Sequence, residues 1–114
     1  MWWPIYVEDS KVPVILSHIS PLEINAITLF PFVFSRGEMT TETRVHEAIH
    51  FQQYIDTLII GFFLLYLCDY LVGIIKHRDG QKAYRNTRAE IEAYDNDSDV
   101  AYLFHRKRWK WLLQ

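Results

Sequence analysis

The sequence predicts an α+β domain composed mostly of helix. Three observations favour this class. β-Branched and aromatic residues are concentrated near the start of the chain, long stretches of helix-forming residues follow, and 114 residues suffice for one hydrophobic core. The composition is 50% hydrophobic and 23% charged, which is typical of a folded protein and not of a disordered one. We therefore treat residues 1–114 as a single domain.

The β element is expected within residues 1–37. Two runs, Val12–Ile19 and residues 26–34, are rich in β-branched and aromatic side chains, and turn-forming residues lie between them. Both runs are predicted to be strands, and together they could form a hairpin. Pro13 and Pro31 cannot donate a hydrogen bond to a neighbouring strand, so each strand is expected at the edge of a sheet.

Helices are expected in the remaining two thirds of the chain. Residues 40–77 begin with a hydroxyl cap and an acidic residue and contain no proline, which predicts one long helix or two stacked helices. Residues 77–80 are a turn signal. A third segment, residues 86–113, starts with the capping-box pattern of residues 87–90 and ends in a tail rich in basic and aromatic residues.

The apolar segment of residues 58–75 has two interpretations. Its eighteen residues include one charge, Asp69, and this length is at the lower limit for spanning a bilayer. A charge near the middle of a span costs roughly 3 kcal/mol, which favours a buried central helix. Cations flank the segment, and Trp109 and Trp111 lie among basic residues in the tail, which is typical of a membrane interface. A membrane-embedded or interfacial helix, and a homo-oligomer formed through the apolar surface, therefore remain alternatives.

The charge balance and the cysteine content exclude several classes of protein. Twelve basic and fourteen acidic residues give a formal charge of −2, which does not favour nucleic acid binding. The single cysteine, Cys68, excludes an internal disulfide framework and fits a reducing compartment. The first residues lack the pattern of a secretion signal, so an intracellular protein, cytoplasmic or membrane-associated, is expected.

The most informative residues are His46, Glu47 and His50, which form the pattern HExxH within a predicted helix. Residues four apart lie on one helical face, so both imidazoles can bind one metal ion while Glu47 reaches a water molecule beside it as general base. Two imidazoles and a carboxylate suit Zn²⁺ best. A catalytic zinc site needs a third protein ligand. The downstream candidates are Asp56, Asp69, His77, Glu90, Glu92, Asp95, Asp97, Asp99 and His105.

HEAIH at residues 46–50, followed by EIEAY at residues 90–94, resembles the gluzincin metallopeptidases, in which a glutamate on a second helix completes the zinc site. Three stretches, LFPFVF at residues 29–34, HEAIHFQQ at residues 46–53 and AYRN at residues 83–86 followed by EIEAY, also resemble short, uncharacterised bacterial and phage chains of the peptidase class. The resemblance covers the two helices. It implies a minimal zincin-like domain, zinc as cofactor, a peptide or protein substrate, and His46, His50 and Glu90 as ligands.

Glu92 is the alternative third ligand. Residues two apart on a helix point in different directions, so Glu90 and Glu92 cannot both reach the metal. The side chain of Glu90 could instead complete a capping box with Thr87. The sequence also offers four candidates for stabilising an oxyanion, namely Tyr84, Tyr94, Tyr102 and His105.

The residue that orients a ligand histidine is also left open. In one branch of the resembling family an aspartate stands at the position of Tyr94, so its role is missing here or has moved, for example to Asp95. Asp69 is expected to pair with Arg85 or Arg88, and its alternative role is to accept a hydrogen bond from a ligand histidine.

These residues predict zinc-dependent hydrolysis of peptide bonds, with the edge strand at residues 26–34 aligning an extended substrate. The alternative is a non-catalytic protein in which the metal staples a small structural, assembly or membrane-binding domain. Glu47 distinguishes the two, because a structural site has no need of a general base. If residues 58–75 contact a bilayer, the site lies near the membrane surface.

Overall fold

The computed structural model describes residues 3–19 and 24–113 and confirms a mostly helical α+β fold. Its elements follow in the order β1 (Ile5–Val7), α1 (Val12–Ile19), β2 (Ala26–Leu29), β3 (Phe32–Ser35), α2 (Thr41–Asp56), α3 (Ile60–His77), α4 (Gly80–Arg85), α5 (Arg88–Asn96), α6 (Tyr102–His105) and a final 3₁₀ helix (Lys110–Leu113). The basic and aromatic tail is therefore two short helical pieces.

The first predicted strand is wrong, because Val12–Ile19 forms α1. The side chain of Ser10 accepts a hydrogen bond from the N–H of Val12, and Pro13 lies in the first turn, where a missing N–H has no intrahelical partner to lose. The residues at its N-terminus therefore favour a helix strongly enough to outweigh the β-branched composition of this run. The predicted turn includes residues 20–23, which lie outside the described part of the chain.

The second predicted strand is two strands, because residues 26–34 turn at Phe30 and Pro31. β2 and β3 pair antiparallel with Thr28 opposite Val33, and β1 pairs parallel with β3. The described strands follow the order β1-β3-β2, so β2 is at an edge as expected, whereas β3, the second half of the predicted edge strand, is central. Pro31 occupies the turn and so costs the sheet no hydrogen bond.

Residues 40–77 form two helices, which was one of the two predicted alternatives. The hydroxyl of Thr40 caps α2 by accepting the N–H of Thr43. α2 ends at Asp56, and the chain changes direction at Leu58 and Ile59, whose φ angles are 58° and 68°. We call residues 57–59 the corner.

The apolar segment is not a buried central helix. Only Phe62 and Gly73 of α3 are buried, and 11% of its eighteen-residue window is covered by the protein. By length and composition alone, α3 could cross a membrane. Its inner side packs on α4, where a Cβ added to Gly73 would lie 2.8 Å from Cα of Ala83. Cys68 is exposed.

Two apolar clusters hold the helices together. Val45, Ala48 and Ile49 of α2 pack against Ala93 of α5 and Leu103 of α6. The second cluster joins α2, α3, α5 and the final 3₁₀ helix through Tyr54, Phe62, Ala89 and Trp111. α2 belongs to both clusters and is thereby fixed against α5.

Candidate metal centre

Three of the predicted site residues converge between α2 and α5. Nε2 of His46 lies 3.0 Å from Oε1 of Glu90, and Nε2 of His50 lies 3.1 Å from the same oxygen. The three ligand atoms lie within 4.8 Å of one another, and all three residues are buried. We call His46, His50 and Glu90 the ligand cluster.

The start of α5 fixes the position of Glu90. The hydroxyl of Thr87 accepts the N–H of Glu90, so Glu90 lies in the first turn of the helix. Ala89 and Ala93 are small and buried, which lets α5 approach α2 closely. Of the two hydrogen bonds in the predicted capping box, the one from the Glu90 N–H to the Thr87 hydroxyl is present. The carboxylate of Glu90 contacts the histidines instead of the backbone N–H of Thr87.

Each histidine is held through its other ring nitrogen. Nδ1 of His46 lies 2.9 Å from Oδ2 of Asp97, and Nδ1 of His50 lies 2.8 Å from Oε1 of Gln53. Both partners accept a hydrogen bond in this arrangement, so each imidazole carries a proton on Nδ1. Both Nε2 atoms are thereby available to a cation at the ligand cluster.

The orientation of Gln53 is fixed by its amide nitrogen. Nε2 of Gln53 donates to the carbonyl of Ala89 at 3.0 Å and to Oε1 of Glu92 at 2.8 Å. Its amide oxygen must therefore face His50, because the nitrogen has two acceptors on the other side. Gln53 is fully buried and links His50 to the carboxylate of Glu92.

The charges of the ligand cluster shift its titration strongly. Burial lowers the pKa of His50, but the Glu90 carboxylate more than offsets this and raises that pKa to about 9. Burial raises the pKa of Glu90, yet the positive charge of His50 and hydrogen bonds from both histidines hold that pKa well below its usual range. Both shifts favour the charged forms, with a protonated His50 beside an ionised Glu90.

Glu47 lies on the wall of a cavity of about 680 Å³ that is formed by residues from β2, α2, α3 and α5. One carboxylate oxygen is 4.0 Å from Nε2 of His46. The hydroxyl of Thr28 contacts the main-chain oxygen of Glu47 at 3.0 Å and its Oε1 at 3.4 Å. Burial raises the pKa of Glu47, and the positive charges of His50 and His46 offset only part of the shift.

The structure places the alternative ligand Glu92 away from the histidines. Its carboxylate accepts hydrogen bonds from Arg106 at 2.8 Å and 2.9 Å, from Tyr102 at 2.7 Å and from Gln53. Asp56 also binds Arg106, at 2.7 Å, and Arg108. We call Asp56, Glu92, Arg106 and Arg108 the anchor cluster, because it ties the tail to α2 and α5.

The other predicted residues lie in different surroundings. Asp69 forms a two-pronged ion pair with Arg88, as expected, and does not contact a histidine. Asp95 is exposed, and the acceptor beside His46 is Asp97. The ring of Tyr94 packs edge-on against His46 with 4.5 Å between centroids. Its hydroxyl lies 3.0 Å from that of Tyr84, and both residues line the cavity.

Sequence reasoning did not assign the roles of several residues. Gln53 follows His50 by three positions, and this spacing on one helical face was the available signal. Asp97 was one of many downstream carboxylates, and it reaches His46 because α5 ends at Asn96. Tyr66 donates its hydroxyl to Oε2 of Glu90 at 2.9 Å. No sequence pattern indicated that contact, because it depends on the corner.

No protein-family model, curated protein or solved structure matches this chain at a significant level. The resemblance to the gluzincins therefore remains a prediction based on residues 46–50 and Glu90. The chemistry of the chain is inferred below from its own side chains, their distances and their burial.

Proposed function

We propose that this chain is a zinc-dependent peptidase. The observation that carries the proposal is the convergence of two imidazole nitrogens and one carboxylate oxygen within 4.8 Å of one another, beside a second carboxyl group, that of Glu47. The donor set fits zinc, which binds imidazole and carboxylate and keeps a position open for catalysis when it has three protein ligands. The hydrogen bonds to both Nδ1 atoms are also typical of metal-binding histidines.

His46, His50 and Glu90 would hold the ion. When bound, zinc supplies a Lewis acid that polarises a carbonyl group and lowers the pKa of water. Glu47 then has the position and the environment of a general base. It lies next to the ligand cluster and on the wall of the cavity, so it could take a proton from a water molecule there and later return it to a leaving amine.

A peptide substrate is favoured by the walls of the cavity. β2 is the edge strand of the described sheet, and Ala26, Ile27, Thr28 and Leu29 line the cavity. An extended peptide could add alongside β2 through main-chain hydrogen bonds. The carbonyl of Thr28 already accepts the hydroxyl of Tyr54 at 2.7 Å, so substrate pairing would involve the other groups of the strand.

The second candidate function is a structural metal site. Glu90 joins α5 to both histidines of α2, so a metal there would clamp the two central helices of a small domain. This role explains the ligand cluster but does not explain a buried carboxyl group at position 47 facing a cavity. Glu47 therefore favours the peptidase.

Metal content tests the site first. We expect one zinc per chain in the wild type and in Glu92→Gln, and none in Glu90→Gln, because of these two glutamates only Glu90 is bonded to the histidines. Elemental analysis of protein purified without a histidine tag measures this. A wild type that binds no zinc after reconstitution would refute the metal centre.

Hydrolysis of a peptide library by the zinc-loaded chain tests the chemistry. We expect Glu47→Gln to retain zinc and to lose about 10²- to 10⁴-fold in rate, which is the usual contribution of general-base catalysis. Glu38→Gln is the matched control, because Glu38 is exposed, precedes the same helix and does not line the cavity. A zinc-loaded wild type without hydrolysis, or a fully active Glu47→Gln, would instead support the structural role.

A further inference from the structure

The distribution of side chains around α3 is the reverse of that in a helix packed on a soluble protein. Six large apolar residues lie on a stripe about 120° wide at 100° per residue, and all are exposed to solvent. These residues are Ile60, Phe63, Leu64, Leu67, Leu71 and Ile75, with exposed fractions from 50% to 78%, and we call them the outer face. The acidic residue Asp69 points the other way, toward Arg88.

The outer face is too large to be an incidental surface feature. α3 has eighteen residues, so it is about 27 Å long at 1.5 Å per residue. Monomeric soluble proteins rarely leave an apolar strip of this length uncovered, and such strips mark binding surfaces. Leu58, which is 86% exposed, continues the apolar surface into the corner.

Cations and an exposed tryptophan lie at the two ends of α3. Lys76 and Arg78 are exposed at its C-terminal end. At the other end Trp109 is 55% exposed and donates its indole N–H to the carbonyl of Asp56, which places it beside the corner. Its neighbours in the tail, Lys107 and Lys110, are exposed. Tryptophan and cations around an apolar face match the boundary between acyl chains and anionic headgroups.

We propose that the outer face of α3 docks on an anionic lipid bilayer. The helix lies in the plane of the interface, with the outer face among the acyl chains and the flanking cations among the headgroups. The distribution of charge on α3 supports a bilayer as the partner. The inner side of α3 carries the ion pair of Asp69 with Arg88, whereas the outer face carries no charged residue.

Packing on the inner side excludes a helix that crosses the bilayer alone. Gly73 lies against Ala83, and Asp69 binds Arg88, so one side of α3 is attached to the protein. α4 exposes Lys82 and Arg85, and a spanning arrangement would carry these charges into the hydrocarbon region. Contact with lipid is therefore confined to one side.

The proposed docking places the cavity at the membrane surface. Phe63 and Leu67 belong to the outer face and also line the cavity that contains Glu47. Substrates that reach this cavity would be peptide segments at the bilayer surface, an extension that rests on the proposed peptidase activity. Lipid docking itself does not depend on hydrolysis.

Cys68 provides a direct probe, because it is the only cysteine and is exposed next to the outer face. We expect an environment-sensitive fluorophore on Cys68 to shift to shorter wavelength with phosphatidylcholine vesicles containing phosphatidylserine, and to become protected from iodide quenching. Unchanged emission and quenching would overturn the proposal. The same shift produced by raising the protein concentration without vesicles would also overturn it, by showing that a second copy covers the outer face.

Charge substitutions test the outer face itself. Leu64→Glu and Leu71→Glu should each reduce vesicle partitioning about tenfold or more, since burial of a leucine contributes about that factor. Thr41→Glu and Ser98→Glu add the same charge at exposed sites outside α3 and should bind vesicles as the wild type does. Equal losses in both sets, or none in the first, would contradict docking through α3. Zinc content in the same preparations reports the metal centre separately.

Discussion

The ligand cluster and the anchor cluster both place buried carboxylates between α2 and α5, but these carboxylates are paired differently. In the anchor cluster two carboxylates are matched by guanidinium groups, with separations of 2.7 Å to 2.8 Å. In the ligand cluster the atoms that converge are acceptors, and no arginine or lysine of the described residues is bonded to Glu90. The chain supplies arginines to the anchor cluster, whereas it supplies the ligand cluster with imidazoles alone.

This difference is the one expected between a structural ion cluster and the proposed metal site. Buried charges persist only when they are paired. The anchor cluster meets this requirement within the chain, so it is complete once the protein folds. No arginine or lysine of the described residues pairs with Glu90, and under the proposed function a zinc ion would meet the requirement in the ligand cluster. Gln53 joins the two by hydrogen bonds to His50 and Glu92.

The largest effect is expected from breaking the anchor cluster. Arg106→Met should lower the free energy of unfolding by about 3–5 kcal/mol, because it leaves the carboxylates of Asp56 and Glu92 buried without their shared partner. Urea denaturation followed by circular dichroism measures the change. Arg108→Met is the control, since that side chain is 40% exposed, and its cost should be about 1 kcal/mol or less. Equal losses would show that the two arginines are equivalent.

A smaller effect is expected beside the ligand cluster. Asp97→Ala removes the acceptor for Nδ1 of His46 and should weaken zinc binding about 10- to 100-fold, as is usual for the hydrogen-bond partner of a ligand histidine. Competition with a chromophoric chelator gives the affinity. Asp95→Ala, at an exposed position in the same region, should leave the affinity unchanged. An unaltered affinity in Asp97→Ala would mean that zinc does not use His46 in the orientation seen here.

The smallest effect is expected at the ion pair between α3 and α5. Asp69→Asn should cost about 1 kcal/mol or less, because both side chains of the pair with Arg88 are partly exposed. Hydrogen exchange should become faster in α3 while one zinc per chain remains bound, since neither residue belongs to the ligand cluster. Loss of zinc in this variant would show that zinc binding depends on the contact between α3 and α5, which would contradict this prediction.

The sequence predicted the elements that are encoded locally. Hydroxyl caps marked the starts of α2 and α5, and helical spacing placed His46 and His50 on one face. Local composition misassigned α1, because β-branched residues favour strands on average while Ser10 and Pro13 favour a helix start. The hairpin turn was missed because its apolar residues resemble those of the flanking strands.

The rest of the site depends on contacts between distant segments. Asp97 reaches His46 because it follows the end of α5, and Tyr66 reaches Glu90 because of the direction of α3. Neither position has a local sequence signature. The exposure of α3 was also hidden, since a buried helix and a lipid-facing helix can have the same composition. Hydropathy identifies the helix but does not tell which of its sides is covered.

The corner connects α3 directly to the helix that carries the histidines. At one end α3 is joined through three residues to α2, which carries both histidines. Near the middle of α3, Asp69 forms an ion pair with Arg88. Arg88 lies on α5, two residues before Glu90. α3 is thus attached to both helices that bear the ligand cluster, by the backbone on one side and by an ion pair on the other. The proposed lipid surface and the proposed metal site therefore share these two connections.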